Sequence, residues 1–131
     1  MHGGYPERIV CLTEETTETL YLLGEEDRIV GITGYTVRPP RARKEKPRVS
    51  AFTSAKIDRI LALEPDLVLG FSDLQADIAA ELIRHGLDVR VFNHRSVAGI
   101  LGMIRGLGGM VGCATRADAL AARLAADLAA I

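Results

Sequence analysis

Tryptophan is absent, and only six aromatic Phe and Tyr side chains occur in 131 residues. With so few rings, the place of each along the chain carries information. Charge of one sign is lacking too. Sixteen Lys and Arg against 17 Asp and Glu leave a net charge of −1, which excludes a general nucleic-acid or membrane-surface binder, since both need a large positive excess. No apolar run approaches the ~18 residues of a membrane span. Cys11 and Cys113 are far apart with no metal-type spacing, and His2, His85 and His94 are dispersed, so no local metal motif exists. The two thiols read as ordinary buried cysteines, with a disulfide left open. Ser-His-Asp and Cys-His pairings, a phosphate loop and His-x-x-x-His are all missing. No catalysis and no cofactor are expected.

What is present is a chain of 48% hydrophobic and 25% charged residues, the balance of one globular domain with a core of ordinary size. It opens β-α-β. Arg8–Leu12 is an apolar strand, and Thr13–Thr19 starts a helix with Thr16 or Thr17 as the expected cap and Glu18 near its positive end. Gly24 stops that helix, and Arg28–Thr33 is the second strand. So many residues between the strands point to a parallel pair. Gly34–Pro47 is a long polar connection in which Pro39-Pro40 forbids regular structure. Arg38, Arg41, Arg43, Lys44, Lys46 and Arg48 make it basic, either as a solvated loop or as one that contacts an anion.

Pro47–Phe71 is the most informative stretch: a strand at Arg48–Ser50, a turn carrying Phe52, a short helix containing Asp58, and an apolar strand at Leu67–Leu69 ending in Gly70-Phe71. Leu74, Ile78 and Leu82 then mark an amphipathic helix capped by Ser72 or Asp73 and ended at His85-Gly86. Val89–Phe92 is a fifth strand. A glycine-rich helix from Val97 to Val111 follows, whose glycines suit close packing against the sheet better than phosphate binding, because no strand leads directly into them. Thr115–Ile131 carries Leu120, Leu124 and Leu128 in a narrow row and reaches the last residue without a stop signal, as expected of part of a longer protein. The first ten residues, MHGGYPERIV, have neither the charged start nor the apolar stretch of a signal peptide, which suits a cytoplasmic protein or one whose signal has been removed.

Tyr35, Phe52 and Phe71 each follow a strand, where ligands meet open α/β sheets; Phe52 and Phe71 form a cleft wall or fold back into the core. Glu14 and Glu15 are helix-start carboxylates or ligand contacts, His94 is a surface or cleft residue, and Asp58 is a helix-start acid or a docking point for a basic partner.

The run RIVCLTEETTETLYLLGEEDRIVGITGY, then RPP, then PRVSAF…KIDRILALEPDLVLGF, resembles the N-terminal lobe of the ABC-transporter substrate-binding proteins for cobalamin, heme and ferric siderophores. The phrase ILALEPDLVL is its most specific part. The resemblance implies an α/β fold: a twisted, mainly parallel sheet flanked by helices, the three-layer Rossmann-like lobe of a class III substrate-binding protein. Residues 5–112 would be the lobe and 113–131 the start of the helix joining it to a second lobe. It implies non-catalytic binding of a corrinoid or ferric chelate through Tyr35, Arg38, Phe52 and Phe71, in a periplasmic protein; Ser72, Glu14 and His94 are further candidate ligand contacts. Cobalamin-binding members carry Trp at the positions of Phe52 and Phe71 and Tyr at that of Arg38, so Arg38 suits a more anionic ligand. Asp58 matches the acidic residue that docks on the membrane permease, with a shorter reach than the family's Glu. A second lobe, or a second copy of the chain, would complete the cleft. Two other classes remain open: a homodimerising interaction module, and a metal-handling protein with Glu14, Glu15 and His94 as ligands.

Overall fold

Ile9–Cys11 forms a strand, β1, whose residues are all buried. Its alternation is the key to the architecture. Ile9 and Cys11 point into one core, and Val10 and Leu12 into the other, as the period of two requires of a strand covered on both faces. The computed structural model describes residues 4–50 and 55–131. In chain order it contains β1, α1 (Glu14–Leu22), β2 (Ile29–Thr33), α2 (Ala42–Glu45), β3 (Arg48–Ser50), α3 (Ile57–Ala62), β4 (Leu67–Phe71), α4 (Ala76–Arg84), β5 (Val89–Phe92), α5 (Val97–Met110) and α6 (Ala114–Ala129). The strands are ordered β3-β2-β1-β4-β5 and all neighbours pair in parallel. The expected parallel α/β sheet is therefore present, with β1 at its centre.

One face of the sheet packs Ile9, Ile32 and Leu69 against Leu20 of α1, Leu107 of α5 and Leu120 of α6. The other packs Val10, Val49 and Val68 against Ile60 of α3 and Leu82 of α4. The first half of α6 belongs to the same core through Ala117, Leu120 and Ala121. No helix among the described residues is long and apolar enough to cross a membrane. Cys11 and Cys113 are both free and buried, and burial pushes the Cys11 thiol up to about 11, outweighing the opposing influence of the neighbouring Thr16 and Thr17 hydroxyls.

Several local expectations are corrected. Helix α1 starts at Glu14 with Thr13 at the cap position. Thr16 and Thr17 lie inside it and turn their hydroxyls back to the Thr13 carbonyl, and Glu14 and Glu15, rather than Glu18, occupy the first turn. The connection after β2 does hold a helical turn, α2, beginning just past the two prolines. Strand β4 runs on through Gly70 and Phe71. Leu74 leaves the apolar stripe because Asp73–Gln75 is a separate 3₁₀ turn: Ile78 and Leu82 are buried, Leu74 is exposed, and Gln75 is buried instead. Of the α5 glycines only Gly99 sits close beside the end of β5, where a Cβ would meet His94. A Cβ at Gly102, Gly106 or Gly109 would meet open space, whereas one at Gly108 would overlap the Ala117 methyl of α6.

The end of α1 is tied to α6 by charge. Glu25 accepts from Arg28 at 2.7 Å and from Arg116 at 2.8 Å, and Arg116 also donates to the Leu23 carbonyl. Burial pushes the Glu25 carboxyl up, but the two arginines outweigh it and hold the group below its ordinary range. A depressed folded pKa contributes stability above the unfolded value that is lost as pH falls through the folded one. The urea midpoint is therefore expected to hold from neutral pH down to about pH 5 and to fall below about pH 4, with a shallower acid dependence in Arg116→Gln. Identical acid profiles for the two proteins would refute the assignment.

Candidate functional site

Strand order reverses around β1, and in open α/β sheets the crevice outside the strand C-termini at such a reversal receives ligands. All five strands end among the described residues, and the segments that follow four of them deliver most of the candidate side chains to this rim. Phe52 lies outside the described residues.

Phe71 closes β4 and His94 follows β5; their ring centroids are 4.8 Å apart at 48°. Each ring is half-buried, so the pair presents an aromatic surface while remaining anchored to the sheet. The pair is positioned by register, since Phe71 lies opposite Phe92 and the Ser72 N–H donates to the Phe92 carbonyl at 2.8 Å. Ser72 itself is buried, with φ of 62°, a conformation that costs a non-glycine residue energy and recurs at functional sites. Its hydroxyl accepts the Leu74 N–H at 3.2 Å. Ser72 thus shapes the turn and has little surface to offer a ligand.

The β2–β3 connection is strapped to α1. Glu14 accepts the Val37 N–H at 2.6 Å, Arg38 pairs with Glu18 at 3.2 Å, and the Tyr21 hydroxyl donates to Glu45 at 2.7 Å. Burial and the Glu45 carboxylate push the Tyr21 phenol well above its ordinary range, so it stays a donor. Arg41 stacks over the Tyr21 ring at 4.6 Å and pairs with Glu26 at 2.9 Å. These contacts hold Tyr35 with its side chain largely in solvent, 66% exposed. Arg38 is also exposed, with its charge shared with Glu18.

Glu14, Glu15 and His94 do not assemble. Among the described residues no group of three His, Cys, Asp or Glu side chains could hold a metal ion; Glu14 is engaged by the loop and His94 by Phe71. That removes the metal-handling alternative as drawn from these three residues. Asp58 is exposed in the first turn of α3, free of the core.

Two features of the rim escaped the sequence. Gln75, 1% exposed, accepts the Phe71 N–H at 2.8 Å and donates to the Leu12 carbonyl at 2.9 Å, pinning the ends of β4 and β1 together at the point of reversal. A glutamine beside an apolar stripe was the available signal, and the stripe's apparent start at Leu74 hid it. The other feature is apolar: Val37, Leu74 and Val97 are exposed in the segments that follow β2, β4 and β5. With Phe71 and Tyr35 they add apolar and aromatic surface to the rim.

The family model described as periplasmic binding protein matches residues 9–131. A vitamin B12-binding protein of Yersinia pestis (strain Pestoides F) is 37% identical over 65 residues, 50% of this chain and 23% of that one. Among solved structures, the periplasmic heme-binding protein RhuT from Roseiflexus sp. RS-1 in apo form matches with a TM-score of 0.86 at 28% identity, over 95% of this chain and 48% of that one. The periplasmic vitamin B12 binding protein BtuF of Vibrio cholerae matches with a TM-score of 0.84 at 25% identity, over 94% of this chain and 48% of that one. The chain thus spans less than a quarter of the curated relative and about half of either solved neighbour.

Proposed function

Because the chain belongs to the periplasmic binding protein family, we propose that it is a lobe that binds a large metal chelate, a corrinoid, heme or ferric siderophore, as part of the substrate-binding component of ABC import. The observation that carries this is the half-buried Phe71–His94 ring pair on the rim of strand C-termini, in a chain similar to proteins named for vitamin B12 and heme. A planar macrocycle gains apolar burial and stacking on such rings. Tyr35 supplies a hydroxyl from the strapped loop, and Arg38, exposed beside it, attracts acidic substituents of the ligand. Phe52, by the same resemblance, extends the aromatic wall.

The role is binding without bond-making chemistry. One wall buries one side of a bulky ligand, and at roughly 25 cal/mol per Å² the remainder of the affinity requires a second wall, a second lobe reached through α6 or a second copy of the chain. Asp58 is the proposed contact to the membrane permease, in the periplasm.

Titrating the chain with cyanocobalamin, hemin and a ferric catecholate, followed by visible absorbance, tests this. A band shift with at least one is expected, with an affinity about tenfold weaker in Phe71→Ala, the worth of one well-buried ring. Asp58→Asn should leave that affinity unchanged. No shift with any of the three ligands would sink the reading.

A further inference from the structure

The basic run between β2 and β3 is only partly used by the strapping of that connection. Of its six cations, Arg38 is paired with Glu18, and Arg41 with Glu26 and Glu45. Three of the others, Arg43, Lys46 and Arg48, line one cavity of about 480 Å³ together with Arg59 of α3, over an apolar floor that includes Val49 and Leu63. No Asp or Glu lines this cavity among the described residues, and it shares no residue with the Phe71–His94 rim.

The four cations are held differently. Arg43 donates to the Gly34 carbonyl at 3.2 Å and Lys46 to the Glu26 carbonyl at 2.8 Å. Carbonyls orient these groups without cancelling their charge; the Glu26 carboxylate pairs with Arg41 and is also attracted by Lys46, so Lys46 is the more compensated of the two. The Arg48 and Arg59 guanidinium groups have neither an ion pair nor a hydrogen bond among the described residues. In a chain of net charge −1 such a concentration is local. Clustered like charges disfavour one another, and a multivalent oxyanion relieves that repulsion. Guanidinium forks suit phosphate oxygens bidentately, and the volume lies in the range of small-molecule sites.

We propose that this cavity between β3 and α3 is a binding site for a phosphate-bearing ligand, with Arg48 and Arg59 gripping the oxyanion and Arg43 and Lys46 supplying the surrounding positive field. The phosphate belongs either to a soluble small molecule or to a lipid headgroup, and one experiment separates the two. Calorimetric titration with pyrophosphate at low salt should show saturable binding, weakened at least about tenfold in the double variant Arg48→Gln/Arg59→Gln and within twofold of the parent in Lys44→Gln, a cation of the same loop that does not line the cavity. Both arginines lack partners, so thermal melts of the double variant should match the parent. Co-sedimentation with phosphatidylglycerol vesicles, displaced by pyrophosphate and lost in the double variant, assigns the phosphate to a headgroup; no co-sedimentation assigns it to a soluble ligand. Absence of pyrophosphate binding, or equal weakening by Lys44→Gln and the double variant, overturns the proposal. Phe71→Ala should leave pyrophosphate binding intact, which keeps this test independent of the chelate site.

Discussion

Gln75→Leu is expected to cost about 3 kcal/mol of folding stability, because a side chain of similar volume leaves two buried backbone groups without partners. Gln75 receives the Phe71 N–H and donates to the Leu12 carbonyl, at 2.8 and 2.9 Å, and neither backbone group gains an equivalent partner from leucine. A buried polar group deprived of its partner costs roughly 1–3 kcal/mol, whereas a near-isosteric exchange alone costs under about 1.5 kcal/mol. The loss should lower the melting temperature by roughly 10 °C in a chain of this size. It should also accelerate amide exchange at Phe71, the residue that carries the aromatic rim. An unfolding free energy from urea titration within about 0.5 kcal/mol of the parent would show that the bridge between β4 and β1 contributes nothing.

Helix α5 should give opposite signs for the same substitution at two of its glycines. A methyl at Gly108 would occupy the space of the Ala117 methyl on α6, so Gly108→Ala must push two packed helices apart. Overpacking of this kind costs about 1–3 kcal/mol, more than the ~1 kcal/mol that alanine gains over glycine within a helix. Gly108→Val should cost more still and leave much of the chain unfolded at 37 °C. At Gly102 a Cβ meets nothing within 4 Å, so Gly102→Ala should stabilise by about 0.5–1 kcal/mol. Thermal melts of the two alanine variants against the parent decide it: shifts of the same sign would mean that the α5–α6 contact is not the constraint at Gly108.

These two predictions also mark where reading along the chain stops. All five strands are legible as short apolar runs between breakers, and the parallel pairing follows from helix-length connections. The rim aromatics Tyr35 and Phe71 are legible because each lies at or just past the end of an apolar run that reads as a strand. Gln75 is not, since its partner Leu12 lies 63 residues away and its neighbour Leu74 imitates the start of an apolar stripe. Nor are the α5 glycines, whose separate environments depend on where α6 crosses.

By itself, the sequence determined the order of the strands and longer helices, the lack of a metal or catalytic motif in the chain and the aromatic character of the strand ends, because periodicity, breakers and residue type are local properties. Only the tertiary structure decided that Phe71 meets His94, that Ser72 builds a turn, that Glu14 straps a loop instead of meeting His94, and that Arg59 joins three cations from another segment. Those outcomes depend on which strand lies beside which. That order is set by burial of both faces of β1 and has no signature in any single stretch of chain.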